Sequence, residues 1–331
     1  MNKPQAGYLI VTPLVIAAAL FLYKANSSIV VLRSTWSSGA IAARPGVVML
    51  GEQAASIGIL ERSLNYFNAI WPALVFGILI GAAVRAFVSP DRLARLALNR
   101  PVKAQLAAGL AGAPLMLCSC CVAPVFMSVA EISGRLGPAL GLLLASPVLN
   151  PAALALTFML FEPPIAAARA VLALIVVLVV GPAIERMFQH VNFEKPESVE
   201  ESTPATFLKS IFVVSMRTVP ALIIGVIVSM FLIESLSSTL FISPEARTAA
   251  ILITATLAVP LALPTFLEIP LALSLLAAGL PAGAAVALLF AGPAVSLPSL
   301  LSVARVGGWK IAAMVAALVW VLAAGGGLLI G

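Results

Sequence analysis

The chain contains little charge for its length, and this scarcity limits the class of protein. Only 10% of its 331 residues are charged, whereas 62% are hydrophobic and the mean hydropathy is +1.13. Such a composition excludes a soluble globular protein, because several apolar runs reach the roughly 20 residues that a bilayer-spanning helix needs. Aromatic residues are also scarce, at 7%, and no basic face interleaved with aromatics is present. The sequence predicts an all-α polytopic membrane protein in contact with lipid, and no nucleic-acid partner.

Cysteine and histidine are nearly missing. The three cysteines, Cys118, Cys120 and Cys121, lie within four positions, so none has a distant partner for a disulfide framework. The single histidine, His190, lies in a polar linker and is expected at the surface. The phosphate-binding pattern G-x-x-x-x-G-K followed by Ser or Thr does not occur, so ATP hydrolysis by this chain is not predicted. We expect no cofactor and no enzymatic activity; an oligomer is possible, although no feature indicates one.

The second half of the chain repeats the first. Residues 113–154 align with residues 259–300 at a constant offset of 146 without a gap. The offset superimposes prolines and small residues: Pro114 on Pro260, Pro124 on Pro270, Ser128 on Ser274, Ala145 on Ala291 and Pro147 on Pro293. A chance match of this kind is improbable, so we interpret it as an internal duplication.

Four parts follow from the duplication and from the composition of the remaining segments. An N-terminal part (1–63) holds one predicted transmembrane helix, Gly7–Tyr23, and a mostly polar extracytoplasmic segment, 24–63. Repeat one (64–187) and repeat two (207–331) are joined by a cytoplasmic linker (188–206) that is rich in glutamate and expected to be flexible.

Each repeat contains four apolar stretches, and the second of them is unusual. Residues 102–133 and 247–278 are too long for one plain helix, and each is broken by two prolines ten residues apart. Lys and Arg lie at both ends of the first, including Lys103 and Arg135, whereas the ends of the second lack this excess. Because basic residues concentrate on the cytoplasmic side, we predict two re-entrant hairpins that enter from opposite sides.

Three transmembrane helices plus one hairpin per repeat make an odd number of crossings, so the two repeats are predicted to be inverted. With the N-terminal helix, the total is seven spans and two hairpins, with Lys3 and the N-terminus in the cytoplasm. The alternative is eight spans in the repeats, related in parallel, after the N-terminal helix.

The hairpins place unusual residues at the membrane midplane. The turn Cys118–Cys121 would face its counterpart of repeat two, residues 264–268, from the opposite side. The third stretch of each repeat is also broken by paired prolines, which free backbone carbonyls and expose polar side chains near the same depth. The predicted substrate-binding residues are Cys118, Ser119, Cys120, Cys121, Ser146, Asn150, Thr265 and Ser296.

The cysteines suit a soft ligand. Thiolates bind soft metal ions and thiophilic metalloids, and Cys118, Cys120 and Cys121 lie close enough to share one centre. Two other interpretations remain open at this point. In the first, the buried cysteines have no role beyond that of small apolar residues. In the second, the C-x-x-C spacing of Cys118 and Cys121 allows redox chemistry.

Several charged residues are predicted within apolar stretches, where such residues serve as ion partners or proton carriers. Glu268, Arg217 and Glu131 are the candidates for proton or charge coupling. Arg169 could instead extend its side chain to the membrane surface. For Glu268, the competing interpretation is a simple ion pair with Arg217 or Arg247.

The run from Gly112 to Val125, GAPLMLCSCCVAPV, together with LASPVLNP at 144–151 and FAGPAVSLPS at 290–299, resembles the ArsP/YraQ-type predicted permeases. This resemblance implies an inner-membrane permease, and characterised members of the family export trivalent methylated arsenicals. It also implies that Cys118 and Cys120 are the thiols of a Cys-Ser-Cys element and that Asn150 is a polar residue after the second break. Cys121 departs from the family, because it stands where glycine is expected.

The sequence thus predicts an inner-membrane secondary permease for a small thiophilic solute, either a trivalent organoarsenical or a soft metal ion. A membrane thiol oxidoreductase or metal-delivery protein that uses Cys118 and Cys121 is the alternative.

Overall fold

The computed structural model describes residues 3–39, 58–88, 101–188, 204–235 and 247–331, and within them it is all-helical. Residues 189–203 of the predicted linker, with His190, and residues 40–57 of the predicted extracytoplasmic segment lie outside the described residues. The helices are α1 (Lys3–Ser38), α2 (Ile59–Phe87), α3 (Pro101–Gly112), α4 (Ser119–Ser133), α5 (Leu136–Val148), α6 (Pro151–Leu160), α7 (Pro163–Met187), α8 (Pro204–Ser235), α9 (Arg247–Ala258), α10 (Glu268–Ala277), α11 (Ala282–Ala294), α12 (Leu297–Gly307) and α13 (Trp309–Ile330).

Five of these helices are long and apolar enough to cross a bilayer: α1, α2, α7, α8 and α13. Two further pairs reach this length only together, because α5 and α6 meet at 40° and α11 and α12 meet at 48°. Counting each bent pair as one span gives seven candidate spans in the described residues, the number predicted from the sequence.

The breaks in the bent pairs have local causes. Pro147 lies inside α5 and Pro151 begins α6, where its missing N–H costs nothing. Asn150 caps α6, because its side-chain oxygen accepts hydrogen bonds from the backbone N–H groups of Ala152 and Ala153. At the other break, Ser296 and Ser299 form a capping box that begins α12.

The segment formed by α3 and α4, here called hairpin one, begins and ends beside the same part of α7. Near its start, Gln105 donates to the carbonyl of Val177 at 2.6 Å. Just after its end, Arg135 is paired with Glu185 at 2.5 Å. Both contacts involve the C-terminal half of α7, whereas a straight crossing would bring the two ends to opposite ends of that helix.

The corresponding segment of the second half, α9 and α10, is called hairpin two, and its surroundings repeat those of hairpin one. Gly137 and Gly181 pack backbone to backbone, such that a Cβ on Gly181 would lie 2.6 Å from the Gly137 carbonyl. Their counterparts at the offset of 146, Gly283 and Gly327, pack in the same way, with a corresponding distance of 2.7 Å. Only glycine permits backbones to approach this closely, so each half has its own pair of glycine-packed helices.

The N-terminal helix is longer than predicted. The predicted span ended at Tyr23, but α1 continues to Ser38, so residues 24–38 are helical and are not a polar extracytoplasmic segment. Lys24 and the small polar residues after it predicted the end of the helix, but the helix continues through the apolar run that follows Ser28. Leu20, Ser28 and Thr35 are buried, which places one face of α1 against the rest of the molecule.

The proposed side of each hairpin can be tested by labelling. In a background with all three cysteines replaced by serine, single cysteines at positions 103 and 135 are expected to react with an impermeant maleimide from the cytoplasm. Cysteines at positions 247 and 278 are expected to react from the opposite side, because the halves are predicted to be inverted. Labelling of 103 and 135 from different sides would rule out hairpin one.

Candidate functional site

The three thiols form one buried cluster at the tip of hairpin one. Cys118 is the N-cap of α4, and Cys120 and Cys121 lie in its first turn. An N-cap side chain and the third residue of the helix face each other, and here the Cys118 and Cys121 sulfurs are 2.7 Å apart. The Cys120 sulfur lies 3.2 Å from that of Cys118 and 3.9 Å from that of Cys121. All three cysteines are free and buried.

This cluster has the ligand composition that could hold a soft metal ion or metalloid. A metal with about 2.3 Å bonds to sulfur holds its thiolates roughly 3.8 Å apart, so small side-chain rotations would open the cluster to that size. The hydroxyl of Tyr66 lies 3.1 Å from the Cys120 sulfur. In the described residues, no other group of three histidine, cysteine or carboxylate side chains could share an ion.

A cavity of about 60 Å³ lies beside the cluster and is large enough for a few water molecules. Cys118 and Met116 line it from the tip of hairpin one. Pro264, Thr265 and Phe266 line it from the tip of hairpin two, so the two predicted tips do meet at one space. Behind the cluster, the Cys121 carbonyl packs against Gly77 of the long helix α2.

The backbone is strained where the tips meet. Met116 has a φ of 50° and Phe266 has a φ of 75°, and among the described residues no other non-glycine side chain has a positive φ. Such conformations are uncommon without glycine and cluster at functional sites. Both residues line the cavity.

Asn150 presents an unused hydrogen-bond donor to this cavity. Its side-chain oxygen is engaged in capping α6, whereas its amide nitrogen is buried and has no protein partner. A buried donor of this kind needs a partner from water or from a ligand. The role of Asn150 as a substrate contact stays a prediction.

The predicted serines hold the tip of hairpin one in place. Ser119 donates to Ser296 at 2.9 Å, which ties the tip to the break between α11 and α12. The hydroxyl of Ser146 accepts the backbone N–H of Leu117 at 3.1 Å, which ties the tip to α5. Of the predicted substrate-binding residues, Cys118, Asn150 and Thr265 line the cavity, whereas Ser119, Cys120, Cys121, Ser146 and Ser296 do not. Their roles in binding stay predictions.

Glu268 is paired with Arg169, at 2.8 Å, and both side chains are almost fully buried. The alternative partners considered for Glu268, Arg217 and Arg247, are therefore wrong. Arg169 does not extend to the surface, because it also donates to Thr157 and is only 1% exposed. The pair joins α7 of the first half to hairpin two of the second.

Glu131 and Arg217 lie in a different place from the cavity. Glu131 is paired with both Arg85 and Arg217, the latter at 2.6 Å. From Ser119 to Glu131 the axis of α4 rises about 18 Å at 1.5 Å per residue. These two candidates for coupling are thus separated from the thiols, whereas Glu268 lies two residues after Phe266, which lines the cavity.

Sequence reasoning missed the contribution of α1 to the site. Tyr23, Lys24, Ser27 and Ser28 line the cavity opposite the hairpin tips. The signal was present in the sequence, since a lysine and two serines interrupt an apolar run that resumes at Ile29. This interruption instead predicted the end of the helix.

The fold and the site define a multi-pass helical membrane protein with a polar cavity between the tips of the two hairpins, lined by Cys118 among other residues. The model of the ArsP_1 predicted permease family matches residues 59–331, and the chain belongs to this family. The matched segment begins at the first residue of α2, so α1 lies outside it. The family supports a transporter rather than an enzyme.

Three curated proteins are similar in sequence to this chain. The UPF0718 protein YraQ of Escherichia coli (strain K12) is 27% identical over 274 residues, which cover 78% of this chain and 77% of the relative. The UPF0718 protein YcgR of Bacillus subtilis (strain 168) is 26% identical over 128 residues, or 38% of this chain and 44% of the relative. The UPF0718 protein MJ0584 of Methanocaldococcus jannaschii is 28% identical over 91 residues, or 28% and 25%. No solved structure matches the chain.

Proposed function

We propose that the protein is an inner-membrane secondary permease that moves a small thiophilic solute, either a trivalent organoarsenical or a soft metal ion. The observation that carries the proposal is the meeting of the three-thiol tip and the opposed tip of hairpin two at one buried cavity. Intramembrane hairpins and broken helices that converge at mid-depth are the substrate sites of many secondary transporters.

The thiols supply the affinity for the solute. A trivalent arsenical that carries two hydroxyl groups can condense with two thiols, such as those of Cys118 and Cys120. Two As–O bonds break, two As–S bonds form, and each hydroxyl leaves as water with a thiol proton. No net charge changes, and no oxidant or external base is needed. Cys121 provides a third sulfur for a metalloid or metal that takes three ligands.

Inversion of the two repeats supplies the route. The equivalent glycine contacts of the two halves, at the offset of 146, support a shared architecture. If repeat one is inverted relative to repeat two, each hairpin reaches the cavity from its own side of the membrane. Access from either side would then open by moving one hairpin away from the other. The distribution of Lys and Arg favours a cytoplasmic N-terminus.

Glu268 is the proposed site of ion coupling. It begins α10 directly after the tip residues of hairpin two and is buried beside Arg169. An acidic group that is buried within a membrane protein is a functional candidate by default. The competing role is structural, as the partner that neutralises Arg169.

Transport into everted membrane vesicles tests the proposal. Vesicles from cells that express the protein are expected to accumulate one member of a panel of methylarsenite, phenylarsine oxide, copper(I), mercury(II) and sulfur oxyanions. Replacing Cys118, Cys120 and Cys121 together by serine is expected to reduce this uptake at least tenfold, because a hard oxygen replaces each soft sulfur in nearly the same volume. Wild-type uptake by the triple variant, at equal expression, would leave the cysteines with a packing role only.

A membrane thiol oxidoreductase or metal-delivery protein is the second candidate, favoured by the 2.7 Å separation of the Cys118 and Cys121 sulfurs. It predicts a reversible disulfide between these residues that exchanges with a partner protein. Mass spectrometry after trapping with N-ethylmaleimide in cells would detect that disulfide. The permease proposal expects all three thiols to stay reduced during turnover.

A further inference from the structure

The charge on the cavity wall comes from α1, the helix outside the family-matched segment. Lys24 is the one side chain with a formal charge among the described residues that line the cavity. The remaining walls are apolar, hydroxyl, amide or thiol groups, including Cys118 and the free amide donor of Asn150. A solute that reaches the thiols therefore meets a cation and several hydrogen-bond donors, and no carboxylate.

Lys24 is held far from both ends of the apolar span by its position in α1. The apolar span runs from Val11 to Ser38, and Lys24 lies at its middle. Either end of the span is roughly 20 Å away at 1.5 Å per residue, which is far longer than a lysine side chain. Lys24 thus cannot reach the membrane surface as lysines near helix ends do, and it is half-buried.

We infer that Lys24 determines the charge selectivity of the site: its ammonium group excludes cationic thiophiles and admits uncharged ones. The inference rests on the proposed function and narrows its substrate class. Lys24 and Cys118 line the same cavity. For two unit charges roughly 5–8 Å apart at an effective dielectric constant of about 20, the repulsion corresponds to a factor of at least tenfold in affinity.

The chemistry of binding also favours an uncharged solute. An uncharged dihydroxyarsenical releases only water when it condenses with two thiols. A soft cation must instead displace protons from the thiols, and Glu268, two residues after Phe266 of the cavity wall, is already paired with Arg169. Adding a cation next to Lys24 therefore meets repulsion, and Glu268 is not free to accept the displaced protons. The free Asn150 donor suits an uncharged solute that carries an oxygen atom.

Equilibrium binding to the purified full-length protein in detergent tests the inference with two probes, phenylarsine oxide and silver(I). Lys24→Met is expected to raise the affinity for silver(I), relative to the affinity for phenylarsine oxide, by at least tenfold. Lys24→Arg keeps the charge and is expected to behave as the wild type. Arg33→Met is the matched control, because Arg33 is an exposed cation on the same helix, and neither affinity is expected to change.

Two outcomes would overturn the inference. Lys24→Met could leave silver(I) affinity unchanged, or it could lower the affinity for both probes equally, which would indicate a general structural role. The triple Cys→Ser variant separates this failure from failure of the proposed function. If that variant still binds phenylarsine oxide as the wild type does, the thiols are not the site. If only the thiol variant loses binding and Lys24→Met has no effect, the charge-selectivity inference alone is wrong.

Discussion

Replacing Arg169 by methionine is expected to lower the free energy of unfolding by about 3–5 kcal/mol, because the change leaves the Glu268 carboxylate buried without its partner. Both side chains are almost inaccessible, so water cannot replace the lost ion pair. Unfolding in mixed micelles of increasing denaturing-detergent content measures the loss. Glu268→Leu alone is expected to cost a similar amount, because it leaves Arg169 as an unpaired cation.

The double variant Arg169→Met/Glu268→Leu identifies the cause. Because neither charge then remains, it is expected to recover most of the stability that each single variant loses. The matched control is Arg135→Met, which breaks the partly exposed pair with Glu185 and is expected to cost less than about 1 kcal/mol. A double variant as unstable as the single variants would show that packing, and not charge, explains the loss.

The same pair decides whether Glu268 couples transport to protons. Glu268→Gln keeps the size and hydrogen bonding of the side chain but cannot titrate. A proton-coupled carrier is then expected to lose gradient-driven accumulation while it retains solute exchange. Transport by Glu268→Gln with unchanged rate and pH dependence would assign the residue to structure alone.

The second large effect is expected at Gly77, where the tip of hairpin one packs against α2. A Cβ at this position would clash with the backbone carbonyl of Cys121, and backbone cannot move aside as a flexible side chain does. Gly77→Ala is therefore expected to destabilise the protein by about 1–3 kcal/mol and to reduce transport, because the thiol tip must shift.

Gly325→Ala is the matched control for Gly77→Ala. Gly325 also lies inside a long helix, but an added Cβ there would meet nothing within 4 Å. Removing a helical glycine at an open position is expected to stabilise the helix by roughly 0.5–1 kcal/mol. The two substitutions thus have opposite expected signs in the same detergent unfolding assay. Equal changes in stability for the two variants would show that the close contact between α2 and the tip of hairpin one does not require glycine.

The sequence predicted those features that leave a local or periodic signal. Apolar length, paired prolines and the offset of 146 were sufficient to place the helices of both repeats, the bent pairs and the turn with Cys118 to within a few residues, but not the end of α1. The opposed residues 264–266 followed from the offset, and they do line the same cavity. These features depend on the chain's own pattern and need no knowledge of its tertiary contacts.

Long-range partners were not predictable in this way. The pairing of Arg169 with Glu268 joins residues 99 positions apart, and nothing in either neighbourhood distinguishes it from a pairing with Arg217. The role of α1 was missed for a related reason. A lysine within an apolar run is as typical of a helix end as of a buried cation, and only the packing against α2, shown by the 5.9 Å separation of the Tyr23 and Phe76 rings, decides between them.

The two ion pairs that join the halves, among the described residues, differ greatly in how easily they separate. Glu131 and Arg217 meet where Arg217 is 38% exposed, so breaking this pair costs about 1 kcal/mol or less. Arg169 and Glu268 have no such access to water.

We therefore expect α7 and hairpin two to travel together as one rigid body, although they come from different repeats, while α8 parts from hairpin one. The plane along which the protein opens would then cut across the duplicated units. Each moving body would be a mixture of both halves, and the duplication would describe the ancestry of the protein but not its mechanics.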